Sequence, residues 1–151
     1  MTAPTPHFLE TPMATTLAAP LPRPTTGPTT RARWLGRILS GLPALFLGFD
    51  AIGKLIAPRA VVEGSARLGI DPALLPVLGV VLAAGVALYV VPRTAALGAA
   101  LLTGYLGGAV FAHARVADPL FTHTLFPFYF GACLWTGLYL RDPRVRALIA
   151  R

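Results

Sequence analysis

The chain has 151 residues and a formal net charge of +7, with 55 % hydrophobic and only 13 % charged residues. Soluble domains carry about 25 % charged residues, so this composition excludes an ordinary soluble domain and makes the lipid bilayer the expected solvent. The arginines flank apolar runs and form no basic patch with interleaved aromatic residues. We therefore expect no nucleic-acid partner, and we assign the positive charge to membrane topology and anionic lipid.

The N-terminal part of the chain differs in composition from the rest. Proline, threonine and alanine dominate residues 1–33, which show no apolar periodicity. Such a segment buries too little apolar surface to offset the entropy of ordering it. We predict a disordered cytoplasmic tail over 1–33, followed by a membrane domain over 34–151.

Four long apolar segments follow the tail, at about 34–57, 73–91, 94–112 and 120–140. Each is close to the ~20 residues that a helix needs to cross the hydrocarbon layer. Short connections make successive helices antiparallel neighbours. The prediction is an all-α membrane protein: an up-down-up-down bundle of four transmembrane helices. The longer connection at 57–72 predicts a short amphipathic helix at the membrane surface, and Pro127 predicts a kink in the last helix.

Basic residues are unevenly divided between the two ends of the predicted helices. Nine lie in the tail, the first helical turn, the connection at 90–94 and the C-terminus: Arg23, Arg31, Arg33, Arg37, Arg93, Arg141, Arg144, Arg146 and Arg151. Four lie at the opposite ends: Lys54, Arg59, Arg67 and Arg115. The positive-inside rule therefore places both termini in the cytoplasm.

Two ionisable residues stand near the end of the first helix, in the stretch GFDAIGKL. Asp50 and Lys54 are four residues apart, so they share a helix face and can form an ion pair. An ionisable group within a membrane helix is a candidate for function, with the bundle interior or water as its surroundings. The alternative is structural: Asp50 neutralises Lys54 while Lys54 extends to the interface.

A second polar cluster, His113, Arg115, Asp118 and His123, joins the third and fourth helices. One interpretation is a proton relay or a site for a polar substrate, since histidine both donates and accepts protons. Another is a structural rim, with Asp118 capping the next helix. The ligand types would suit a metal, but the spacing fits no metal motif, and we expect none. Tyr105 shares a helix face with His113 and lines a cavity if that face points inward, or else packs against small residues.

Other features favour packing over chemistry. Gly104, Gly107 and Gly108 form a small-residue face suited to close helix contact, and Gly79 and Gly131 can serve similarly. The only cysteine, Cys133, excludes intramolecular disulfides. The sequence also lacks phosphate-loop, nucleophile-elbow and zinc-protease motifs, so enzymatic activity stays open, with a non-catalytic role slightly favoured.

Several stretches resemble the DoxX-like family of small bacterial membrane proteins over about Leu39–Ile149, notably VPRTAALG, GYLGGAVFAHAR and YLRDPR. The resemblance implies a four-helix protein of the bacterial cytoplasmic (inner) membrane and a link to thiosulfate:quinone oxidoreduction and membrane redox complexes. It also implies that family positions are matched by Lys54, Tyr105, His113, Arg115, His123, Pro127 and, less closely, Asp50. Relatives commonly carry glutamate in the second helix where this chain has Leu82.

Two hypotheses follow. The first is an accessory subunit of a membrane redox complex, associated with quinone and carrying a polar site at the non-cytoplasmic end. Its ligand-binding residues would be Asp50, Lys54, Tyr105, His113, Arg115 and His123. The second is a non-enzymatic protein: a permease for a small solute or protons, or a scaffold or chaperone-like partner of another membrane protein. We expect no intrinsic cofactor, and homo-oligomerisation stays open.

Overall fold

The computed structural model describes residues 29–149, and every regular element in that range is helical. The elements are α1 (Thr30–Ile56), α2 (Arg59–Arg67), a 3-10 turn (Pro72–Leu74), α3 (Leu75–Val90), α4 (Ala95–Arg115), a π-helical turn (Leu120–Thr124), α5 (Phe126–Arg141) and α6 (Pro143–Ile149). The predicted all-α class is therefore confirmed.

Helix α1 begins earlier than predicted. Its first residue is Thr30, because the hydroxyl of Thr29 accepts a hydrogen bond from the backbone N–H of Ala32 and so caps the helix. Residues 30–33 thus belong to the helix and not to the predicted tail. The rest of that tail, 1–28, lies outside the described residues.

Within residues 29–149, three helices are long and apolar enough to cross a membrane: Thr30–Ile56, Pro72–Val90 and Ala95–Arg115. The fourth predicted segment, 120–140, is not one continuous helix. It contains the π-helical turn, a break at Leu125, and the 16-residue α5. Pro127 lies in the first turn of α5. Backbone N–H groups in a first turn have no partner within the helix, so proline loses no hydrogen bond there. Further inside a helix its ring would clash with the preceding turn.

The connection between α1 and α3 folds as a small helical unit. Helix α1 stops where Ala57 adopts a left-handed conformation (φ 48°) and its N–H bonds the Gly53 carbonyl. The short helix predicted in this connection is present as α2. Asp71 then caps the 3-10 turn by accepting a hydrogen bond of 2.8 Å from the N–H of Ala73.

The four long helices pack so that α1 and α4 each contact both α3 and α5. At two positions the C-terminal end of one helix lies close to the N-terminal end of another. A Cβ placed on Gly79 of α3 would be 2.9 Å from Leu55 of α1, and one on Gly36 of α1 would be 2.9 Å from Leu140 of α5. A Cβ on Gly98 would overlap the backbone of Tyr89. Neighbouring helices are therefore antiparallel around a core that includes Leu82, Tyr89, Leu102, Leu134 and Leu138.

We predict that Gly98→Ala destabilises the protein by about 1–3 kcal/mol, because the new methyl group must push α3 and α4 apart. Gly107→Ala is the matched control, since a Cβ there meets nothing within 4 Å. The better helix propensity of alanine should leave the control as stable as the wild type, or more so. Thermal unfolding in detergent measures both, and equal melting temperatures for the two variants would contradict the packing described.

Candidate functional site

A cavity of about 720 Å³ opens among the C-terminal ends of α1 and α4 and the N-terminal ends of α3 and α5. Small-molecule sites commonly occupy about 300–1,000 Å³. Much of the wall is apolar, including Leu47, Leu78, Leu106, Phe126 and Phe130. The cavity can therefore take the apolar body of a small molecule.

The polar part of the wall contains five of the six site residues that the sequence suggested: Asp50, Lys54, Tyr105, His113 and Arg115. They come from two helices that are distant in sequence, α1 and α4. The sixth, His123, is not part of this wall.

Asp50 and Lys54 form the predicted ion pair, with the Lys54 Nζ 2.6 and 2.7 Å from the two carboxylate oxygens. The acid precedes the base by four residues, which is the favoured order because the lysine then lies near the negative end of the helix dipole. The side chain of Lys54 is only 16 % exposed and that of Asp50 36 %. The pair is thus held largely within protein, and Lys54 does not extend freely to the interface.

Tyr105 and Ala109, one turn apart, lie on the face of α4 that borders the cavity, as does His113. Of the two orientations that the sequence left open for this face, the inward one is therefore observed. Gly104 and Gly108 border the same cavity, and a Cβ on either would meet nothing within 4 Å. Their predicted use in close helix contact is wrong within the described residues, since these glycines leave space where side chains would otherwise stand.

His113 pairs with Asp118, whose Oδ2 lies 2.6 Å from the His113 Nδ1. The sequence suggested Asp118 as a helix cap, but Pro119 occupies the position before the π-helical turn and no side chain caps it. Ala117 adopts a left-handed conformation (φ 56°), which turns the chain back so that the Asp118 N–H bonds the His113 carbonyl at 3.2 Å. Asp118 is therefore associated with the site, although the sequence analysis did not place it among the ligand-binding residues.

His123 lies near this pair, but its side chain does not border the cavity. Its ring centroid is 6.3 Å from that of His113, and its Nδ1 lies 2.8 Å from the Thr122 hydroxyl. In the π-helical turn, the N–H groups of Thr124 and Leu125 bond carbonyls five residues back, and Thr124 is buried while His123 is exposed. The altered helical period explains why the predicted site residue His123 is absent from the cavity wall.

Arg115 ties the α2 connection to the cavity. Its Nη2 donates a hydrogen bond of 2.6 Å to the carbonyl of Leu68, across 47 residues of sequence. Ser65, Leu68 and Gly69 join the wall through this connection. Gly69 has φ 67°, which favours glycine, and a Cβ there would collide with the Arg115 guanidinium. Sequence reasoning saw only a surface helix here, although a glycine just after a helix is a known signal of such a turn.

Within residues 29–149, no group of three or more histidine, cysteine, aspartate or glutamate side chains could hold a metal ion.

Fold and site together define a helical membrane protein with a cavity that is polar on one part of its wall and apolar on the rest. The model of the DoxX-like family matches residues 38–137, which is most of the chain. The protein therefore belongs to the DoxX-like family. Comparison with curated proteins and with solved structures gave no match.

We predict that Lys54→Met destabilises the protein by about 1–3 kcal/mol, because it leaves the Asp50 carboxylate unpaired in a largely apolar setting. Adding Asp50→Asn should recover part of the loss, since a fully neutral site leaves no orphaned charge. Arg59→Met is the matched control: Arg59 also pairs with a carboxylate four residues away, but its side chain is 92 % exposed. Its effect should stay below about 1 kcal/mol. A Lys54→Met variant that unfolds like the control would refute this assignment.

Proposed function

We propose that this DoxX-like protein binds a small amphipathic molecule from the membrane in the cavity between α1, α3, α4 and α5. The main support is the composition of the cavity wall, in which polar and apolar side chains line the same cavity. The polar residues are Asp50, Lys54, Tyr105, His113 and Arg115. A polar head would lie against these five residues, and an apolar body would lie against Leu47 and Phe130.

The proposal includes a topology in which α1, α3, α4 and α5 all cross the inner membrane, with both termini in the cytoplasm and the cavity at the non-cytoplasmic end. Helix α5 alone is about 24 Å long, at 1.5 Å per residue. Together with the π-helical turn before it, the segment approaches the ~30 Å hydrocarbon thickness. The excess of arginines at the opposite end supports this orientation.

Quinone is the ligand class that the family resemblance implies, and the residues present fit it. Lys54 and Arg115 can donate hydrogen bonds to carbonyl oxygens, and so can the hydroxyl of Tyr105. A bound quinone would supply redox chemistry, while this chain would bind and orient it. We place the protein as a quinone-associated accessory subunit of a membrane redox complex.

We predict that Gly104→Leu and Gly108→Leu each weaken binding of a decyl-substituted quinone at least about tenfold, equivalent to about 1.4 kcal/mol, because leucine fills the cavity. Both positions have room for a side chain and leucine favours helix, so folding should be preserved. Affinity is measured on the full chain in lipid nanodiscs.

Gly107→Leu is the matched control for these variants. Gly107 lies on the same helix and has the same open surroundings, but it does not border the cavity. Binding should be unchanged in this variant. Equal affinities in all three variants, or no quinone binding by the wild type, would rule the cavity out as the quinone site.

The topology has its own test. Reporters inserted after Arg67 and after Arg115 should respond as non-cytoplasmic, and a reporter at the C-terminus as cytoplasmic, because arginine-rich ends are retained inside. A cytoplasmic signal after Arg67 or Arg115 would reverse the proposed orientation without affecting the binding proposal.

A further inference from the structure

The His113–Asp118 pair gives the cavity a hydrogen-bond acceptor. A carboxylate only accepts hydrogen bonds, so the 2.6 Å contact between Asp118 Oδ2 and His113 Nδ1 requires the hydrogen on Nδ1. In the neutral imidazole, Nε2 then carries a lone pair. Among residues 29–149, no hydrogen bond engages Nε2, and His113 stands in the cavity wall. The free nitrogen can accept a hydrogen bond from a bound molecule.

The other polar groups of the wall differ from this nitrogen. Both oxygens of Asp50 already accept a hydrogen bond from Lys54, although each keeps a further lone pair. Lys54 and Arg115 carry only donors, and the Tyr105 hydroxyl can act either way. His113 Nε2 is therefore an acceptor that has no hydrogen-bond partner within residues 29–149, and cationic donors stand in the same wall.

The chain around Asp118 holds this arrangement in place. The left-handed turn at Ala117 returns Asp118 to the end of α4, where its N–H bonds the His113 carbonyl. The hydroxyl of buried Thr124 donates to the Asp118 carbonyl at 3.1 Å. The backbone of Asp118 is thus fixed from both sides, so the carboxylate is aimed at the imidazole and not left to solvent.

We propose that the cavity selects an amphipathic ligand whose head carries an O–H donor, of the phenol or hydroquinone class, and that Asp118 is the positioning residue that makes His113 its acceptor. This inference rests on the proposed function and deepens it, because it assigns the reduced form as the preferred ligand. The head donates its hydrogen to His113 Nε2 while its oxygens accept from Lys54 or Arg115. A quinone has no such hydrogen and leaves the acceptor unpaired, which lowers its affinity.

The test compares three probes on the full-length protein in nanodiscs under anaerobic conditions: decyl-hydroquinone, its dimethyl ether, and the parent decyl-quinone. The wild type should bind the hydroquinone at least about tenfold more tightly than either of the others. His113→Phe keeps an aromatic ring but removes both nitrogens, so the preference should fall to near unity. Asp118→Ala should reduce the preference several-fold without weakening binding of the dimethyl ether.

Asp71→Ala is the control, because this carboxylate caps the 3-10 turn near the cavity but is not part of its wall. Its preference should equal that of the wild type. A structural role for Asp118 alone would shift the affinities of all three probes together and leave their ratio unchanged. Should Asp118→Ala fail to fold, His113→Phe still decides the question.

Equal binding of the three probes by the wild type, or tighter binding of the quinone than of the hydroquinone, would overturn this inference and leave the proposed function standing. Failure of all three probes to bind would overturn the proposed function and this inference with it.

Discussion

The hydrogen bonds of one buried tyrosine hold the helices together at the end opposite the cavity. Tyr89 is 1 % exposed, and its hydroxyl donates to the Leu134 carbonyl at 2.7 Å and lies 3.0 Å from the Ser40 Oγ. Arg141 covers the tyrosine ring and donates to the Tyr89 carbonyl. Each polar group buried in apolar surroundings costs free energy unless it is paired. These bonds therefore fix α1, α3 and α5 relative to one another.

This fixed end allows the other end to remain open. Around Tyr89 the helices approach so closely that a Cβ on Gly98 or Gly137 would overlap a neighbouring helix. At the cavity end, Gly104 and Gly108 meet nothing within 4 Å. Glycine thus serves close contact around Tyr89 and empty volume on the cavity face of α4. The contrast explains how so small a helical protein can contain a sizeable cavity, since the loss of packing there is offset by dense packing elsewhere.

The sequence predicted those features that depend on local spacing or on total hydrophobicity. The Asp50–Lys54 pair and the shared face of Tyr105 and His113 follow from the helical repeat and are present. The His113–Asp118 contact depends on a left-handed alanine, a conformation that alanine does not favour, so residue types gave no sign of it. The π-helical turn that directs His123 outward, and the long-range bond of Arg115 to Leu68, depend equally on tertiary structure.

The residue at position 82, in the middle of α3, bears on the choice between binding and permeation. Leu82 is fully buried and belongs to a core that also contains Leu102 and Leu134. An ionisable side chain at position 82 would bring charge into the middle of the bundle, whereas leucine keeps the core there apolar. The ionisable groups of the cavity are thus separated from the arginine-rich end by packed aliphatic side chains. A permeating ion would need polar partners along that distance, because an unpaired charge in such surroundings is costly. The arrangement favours a pocket that receives its ligand at one end over a path that crosses the membrane.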